Sequence, residues 1–82
     1  MKNKNTQQFS TPDFYLSAYL LTQDFRLLNI RKLDPHRVLF VFEDKENRRS
    51  MVEDFLFGRT TVEPKSFITA IKELKQLLHS DL

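Results

Sequence analysis

Residues 37–43, Arg-Val-Leu-Phe-Val-Phe-Glu, decide the fold. This stretch combines β-branched and aromatic side chains, a composition typical of a strand. Its apolar side chains alternate between two faces, with Val38, Phe40 and Phe42 on one and Leu39 and Val41 on the other. Both faces of the predicted strand are therefore partly apolar, and at least one of them should pack against helices.

The residues before this strand predict its partner. Residues 25–33 form a second, less regular apolar run, and Asp34-Pro35 ends it with a turn signal. We therefore expect one antiparallel hairpin. Since a lone two-stranded hairpin is marginal in water, helices should cover one face and leave the other face, or a strand edge, open.

Two helices are predicted at the ends of the chain. The first begins at Thr11-Pro12-Asp13, because Thr can cap free amide groups, Pro suits the first helical position and Asp complements the helix dipole. It runs to Thr22 or Gln23. The last helix opens at Pro64 and runs to about His79. Its core stripe is Phe67, Ala70, Ile71, Leu74 and Leu78, widened by Ile68 and Leu77.

A shorter helix is predicted between the hairpin and the last helix. The apolar spacing within residues 51–56 indicates a helix that Gly58 is well placed to end. The sequence is consistent with two starting positions for this helix. Ser50 and Glu53 form a capping box if the helix starts late, and an earlier start near Asp44 is equally consistent with the pattern.

Length and composition predict one small domain. The chain has 82 residues, no cysteine, one glycine and a net charge of +2. No apolar run is long enough for an export signal or a membrane span, so we expect a cytoplasmic protein. We interpret residues 1–9 as a disordered tail and residues 10–82 as a single α+β domain in the order α-β-β-α-α.

The sequence carries no catalytic motif. A phosphate-binding glycine loop is excluded because Gly58 is the only glycine, and a metal site needs three or four ligands whereas only His36 and His79 are histidines. The carboxylates cluster at Glu43, Asp44 and Glu46 and at Glu53 and Asp54, where capping and solubility explain them. We therefore expect a protein that is not an enzyme and has no cofactor, metal or evident small-molecule substrate.

The apolar face left over by the hairpin favours a protein-interaction module. Exposed apolar patches on small domains mark partner surfaces. A two-fold dimer that joins two hairpins into a four-stranded sheet would cover both the patch and the strand edge. The alternative is that the last helix crosses behind the hairpin and covers that face. The predicted contact residues, for a second copy or another protein, are Tyr19, Arg37, Leu39 and Val41.

A second hypothesis is an accessory nucleic-acid-binding protein. Basic residues flank the predicted hairpin turn and begin the second helix, where they could contact phosphates. These residues are Arg31, Lys32, Arg37, Arg48 and Arg49. The mild net charge does not indicate an obligate nucleic-acid binder.

Several segments together resemble a small bacterial family known as a domain of unknown function, with relatives on phage and other mobile elements. These segments are Thr11-Pro12-Asp13-Phe14-Tyr15, Ala18-Tyr19-Leu20, Phe40-Val41-Phe42-Glu43-Asp44, and Phe67 with Leu74-Lys75. Members often carry a glycine just before the first strand, where this chain has Gln23-Asp24. The resemblance implies a small stand-alone domain and carries no activity or site residues.

Overall fold

The computed structural model describes residues 7–80 and shows six elements of secondary structure. They are β1 (Gln8–Thr11), α1 (Phe14–Thr22), β2 (Leu27–Asp34), β3 (Arg37–Glu43), α2 (Arg48–Leu56) and α3 (Pro64–His79). The α+β class is confirmed. The predicted order α-β-β-α-α lacks only the first short strand.

The strand β1 corrects the predicted tail boundary. Phe9 pairs with Phe42 and Thr11 pairs with Phe40, so the tail predicted to reach residue 9 is wrong at its end. Local patterns did not indicate this strand because it has four residues and its pairing partner lies far along the chain. The rest of the predicted tail, residues 1–6, lies outside the described residues.

The three strands form one antiparallel sheet in the order β1-β3-β2. The predicted hairpin of β2 and β3 is confirmed. However, β3 is the central strand, because β1 occupies its second edge. Within the described residues, the free edges of the sheet therefore belong to β1 and β2, so two copies joined at an edge would form a sheet of six strands rather than the predicted four.

The helices cover one face of this sheet. Phe40 and Phe42 of β3 are almost fully buried and belong to the same core cluster as Leu20 of α1 and Leu74 of α3. The helix α2 lies beside β1, where the Arg48 guanidinium is 4.4 Å from the centroid of the Phe9 ring. The last helix therefore packs on the same side as α1 and not behind the hairpin.

A side-chain cap fixes the start of α1, whereas α2 starts without one. Asp13, rather than Thr11, caps α1, since Asp13 Oδ1 accepts a hydrogen bond from the Leu16 amide at 3.0 Å. Thr11 Oγ1 accepts a hydrogen bond from the Asp13 amide at 3.1 Å and so holds Asp13 in its capping position. The helix α2 begins at Arg48, before Ser50, so the capping box of Ser50 and Glu53 does not form.

Candidate protein-binding site

An apolar groove lies between β2 and the C-terminal half of α3. Three adjoining depressions, of about 620, 230 and 200 Å³, share Leu77 in their walls. We call this surface the β2–α3 groove. Its apolar lining is Leu21, Leu27, Leu28, Ile30, Leu77 and Leu78, and its polar rim includes Asn29, Lys32, Glu73, Gln76 and Ser80.

The groove exists because α3 carries apolar side chains toward β2 as well as toward the core. Leu74 is fully buried in the core cluster, whereas Leu77, three residues later, is 38% exposed. A helix that packs on one side needs a single apolar stripe. The widening of that stripe at Leu77 was the sequence signal for this groove, although Leu77 was not among the predicted contact residues.

The strand that borders the groove is a free edge of the sheet. Within the described part of the chain, β2 pairs only with β3. Register irregularities fall between Leu27 and Asn29 and between Lys32 and Asp34. They leave Leu28 and Leu33 without a partner in β3, and both side chains are partly exposed. Residues 29–32 are therefore the regular stretch of this edge.

No described helix covers the face of the sheet opposite Phe40 and Phe42, which we call the open face. Arg31 pairs with Leu39, and Asn29 pairs with Val41, so these four side chains share this face. Leu39 and Val41 point away from the helices, as the alternation predicts, and neither belongs to the core cluster. Val41 lies in register with Ser10 on one side and Asn29 on the other.

The four predicted contact residues do not form one accessible surface. Tyr19 is only 5% exposed and stacks on Phe55 inside the helix layer, which corrects its assignment to the contact surface. Val41 is 4% exposed and offers little area to a partner. Leu39 is half-buried on the open face, and Arg37 is exposed near it. The burial of Val41 was not predicted, because the strand β1 that flanks it was not predicted.

The basic residues predicted to contact nucleic acid fall into two separate groups. Arg31, Lys32 and Arg37 lie toward the hairpin turn, whereas Arg48 and Arg49 follow the other end of β3. The seven residues of β3 span about 20 Å between these groups. In addition, the sheet phenylalanines, Phe9, Phe40 and Phe42, share the face that the helices cover. The open face therefore lacks a base-stacking ring among the residues described.

Two basic residues of this set are held by neighbouring carboxylates. Arg37 Nε lies 2.8 Å from Asp34 Oδ2, and Arg48 Nε lies 3.1 Å from Asp44 Oδ1. The hydrogen bond from Arg37 is the main reason that the pKa of Asp34 lies below its usual value, and the bond from Arg48 lowers the pKa of Asp44 in the same way. The carboxylates of Asp34 and Asp44 therefore stabilise the local structure through these ion pairs.

The remaining titratable groups are scattered. Across residues 7–80, no three His, Asp or Glu side chains gather closely enough to hold a metal ion. His36 is exposed at the hairpin turn, and His79 ends α3. In the same part of the chain, no helix has the length and apolar character needed to cross a membrane.

Of three comparisons with known proteins, one identifies a family for this chain. A search of curated proteins found no match, and a search of solved structures found none. One family model, described as a domain of unknown function, matches residues 6–80 and thus covers every helix and strand of the fold. The chain belongs to this family, DUF5659.

Proposed function

We propose that this domain is a non-enzymatic protein-interaction module that binds a segment of another protein in the β2–α3 groove. The observation that carries the proposal is the gathering of six apolar side chains in a concave surface beside a free strand edge. Extended segments bind such edges by adding a strand, with backbone hydrogen bonds for affinity and side-chain pockets for specificity.

The groove is favoured over the other exposed apolar residues because it is concave and continuous. Tyr15, Phe57 and Ile68 are more exposed than Leu77, but none of them lines the groove. Single exposed apolar side chains are normal on small proteins. Contiguous apolar surface is not, and it commonly marks an interaction site.

The charges favour a protein ligand over a nucleic acid. Phosphate contacts along a backbone need several free cations on one surface. Here the basic groups separate to opposite ends of β3, and Arg37 and Arg48 are already paired with Asp34 and Asp44.

The charges also favour a different protein over a second copy. A two-fold axis that pairs β2 with its own copy brings the middle of the strand against itself. Arg31 and Lys32 lie near that middle, so each copy would present the same two cations to the other. Like charges opposite one another destabilise paired strands.

The test is a selection of random twelve-residue peptides, displayed on phage, against the immobilised 82-residue chain. Enriched peptides are then measured by fluorescence anisotropy with the wild type, Leu77→Glu and Ile68→Glu. Ile68 is the matched control, because it is an exposed aliphatic residue on the same helix but outside the groove.

We expect Leu77→Glu to weaken binding at least about tenfold, since a buried, unpaired carboxylate in an apolar contact is strongly unfavourable. Ile68→Glu should bind as the wild type does. The proposal is overturned if no peptide is enriched, if both variants bind equally well, or if light scattering shows a salt-independent dimer that Leu77→Glu dissociates.

A further inference from the structure

We infer that the ligand of the β2–α3 groove is a short, acidic, extended segment that pairs with residues 29–32 of β2. This inference rests on the proposed function and adds the chemistry and length of the partner. Three features of the β2 edge carry it: where its regular backbone begins and ends, which cations flank it, and how its side chains divide between the groove and the open face.

The irregularities in β2 limit the length of the pairing. Register shifts at Leu27/Asn29 and Lys32/Asp34 bound a regular stretch of four residues. Bulges of this kind twist an edge away from long, continuous pairing. A pairing of four residues already occurs in this fold, since β1 pairs with β3 over four residues at the other edge of the sheet. The edge therefore suits a short segment.

The cations beside this stretch predict an acidic partner. Arg31 projects on the open face of the sheet, in register with Leu39, and Lys32 lines the end of the groove with Ile30 and Leu78. Neither Arg31 nor Lys32 forms an ion pair with another described residue, while the nearby Asp34 already binds Arg37 at 2.8 Å. Opposite charges on adjacent strands stabilise the pair.

Because side chains alternate along a strand, the apolar and the acidic residues of the ligand should point to opposite faces of the sheet. Successive side chains of an added strand point to opposite faces of the sheet. Those on the helix side enter the groove beside Ile30 and Leu77, where apolar groups are preferred. Those on the open side lie next to Arg31, where carboxylates are preferred. The ligand should thus alternate apolar and acidic residues.

Two synthetic peptides test this pattern: a ten-residue peptide that alternates valine and glutamate, and its counterpart with lysine in place of glutamate. Their affinities are measured by fluorescence anisotropy with the wild-type chain, Arg31→Glu and Arg49→Glu. Arg49 is the matched control because the same substitution changes the net charge equally on α2, which lies beside β1 at the other edge of the sheet. Both positions are exposed, so the variants should fold.

We expect the glutamate peptide to bind the wild type several-fold more tightly than the lysine peptide, because a carboxylate beside Arg31 is attracted whereas an ammonium group there is repelled. Arg31→Glu should reverse this preference, whereas Arg49→Glu should keep it. Hydrogen exchange of the β2 amides should slow when the glutamate peptide binds. Equal affinity of the two peptides, failure of both to bind, or unchanged β2 exchange would overturn the inference.

The Leu77→Glu variant separates a failure of this inference from a failure of the proposed function. If both peptides bind equally and Leu77→Glu abolishes both, the groove is the binding site and only the acidic chemistry is wrong. If neither peptide binds, the inference falls, and the selected peptides decide the proposed function independently.

Discussion

The Tyr19 ring of α1 stacks on the Phe55 ring of α2, with centroids 5.3 Å apart and ring planes inclined by 27°. The helix α2 has no fully buried residue of its own. Its attachment therefore depends on half-buried side chains, of which Met51, Val52 and Phe55 pack against the core. The Tyr19–Phe55 pair is the one aromatic contact between these two helices among the residues described.

Phe55→Ala should destabilise the domain by about 2 kcal/mol, because it removes a half-buried ring and its stacking contact with Tyr19. Phe57→Ala is the control, since that ring is 70% exposed, and its effect should stay within about 0.5 kcal/mol. Urea denaturation followed by circular dichroism measures both. Equal effects of the two variants would show that α2 is not held by this stack.

Backbone conformation gives a second prediction, at Asp24 and Gly58. Both residues have a positive φ, 67° at Asp24 and 71° at Gly58, in the region where side chains other than glycine are disfavoured. Asp24→Gly should therefore stabilise the protein by about 0.5 kcal/mol, because relief of strain exceeds the added entropy of the unfolded chain.

Gly58→Ala is the opposite test and should cost about 1 kcal/mol. A Cβ at Gly58 meets no atom within 4 Å, so the cost comes from the backbone alone. The free energies of unfolding of both variants come from urea titrations. A stabilising Gly58→Ala, or a destabilising Asp24→Gly, would contradict this account of the two turns.

Local patterns predicted most of this fold, and long-range pairing was what they missed. Residues 37–43 form a strand, and the last helix starts at Pro64 and ends at His79, as predicted. Alternation and helical periodicity are properties of neighbouring residues, so a sequence displays them directly. The pairing of Gln8–Thr11 with β3 is a property of residues far apart in the chain, and a four-residue strand has too little alternation to indicate it.

The site was less predictable for the same reason. An unpartnered surface and a free edge were expected, but the edge was not assigned to a strand, and Leu39 and Val41 were chosen as the apolar contact residues. The structure gives β3 two neighbours and leaves the edges of the sheet to β1 and β2. Which strand is central decides where backbone groups stay free, and that depended on β1. Tyr19 was misassigned because the position of Phe55 beside it depends on how two helices pack.

The pH dependence of stability should report on the Asp44–Arg48 pair. The hydrogen bond from Arg48 holds the pKa of Asp44 below its ordinary value of 3.8. As the pH falls, the unfolded chain therefore takes up this proton first, and the contribution to stability is lost as the pH passes through the lower, folded-state pKa. At neutral pH that contribution is present in full.

Asp44→Asn should thus lower the free energy of unfolding by less than about 1 kcal/mol at pH 7, the range for a partly exposed ion pair. The difference from the wild type should shrink as the pH falls below about 4 and disappear once the pH lies below the lowered, folded-state pKa of Asp44. Urea titrations at a series of pH values measure it. A difference that stays constant as the pH falls would mean that the Asp44→Asn substitution disturbs packing rather than the charge pair.

Leu74 and Leu77 separate the core from the groove on a single helix. Leu74 is fully buried against α1 and the sheet, so Leu74→Ala should destabilise the domain by about 3 kcal/mol through lost burial and a residual cavity. Leu77 is 38% exposed, and Leu77→Ala should change stability by less than about 1 kcal/mol. Thermal and urea unfolding of the two variants measure the difference. A loss at Leu77 as large as that at Leu74 would mean that the groove closes in solution, and binding defects of Leu77 variants would then report on folding rather than on contact with a ligand.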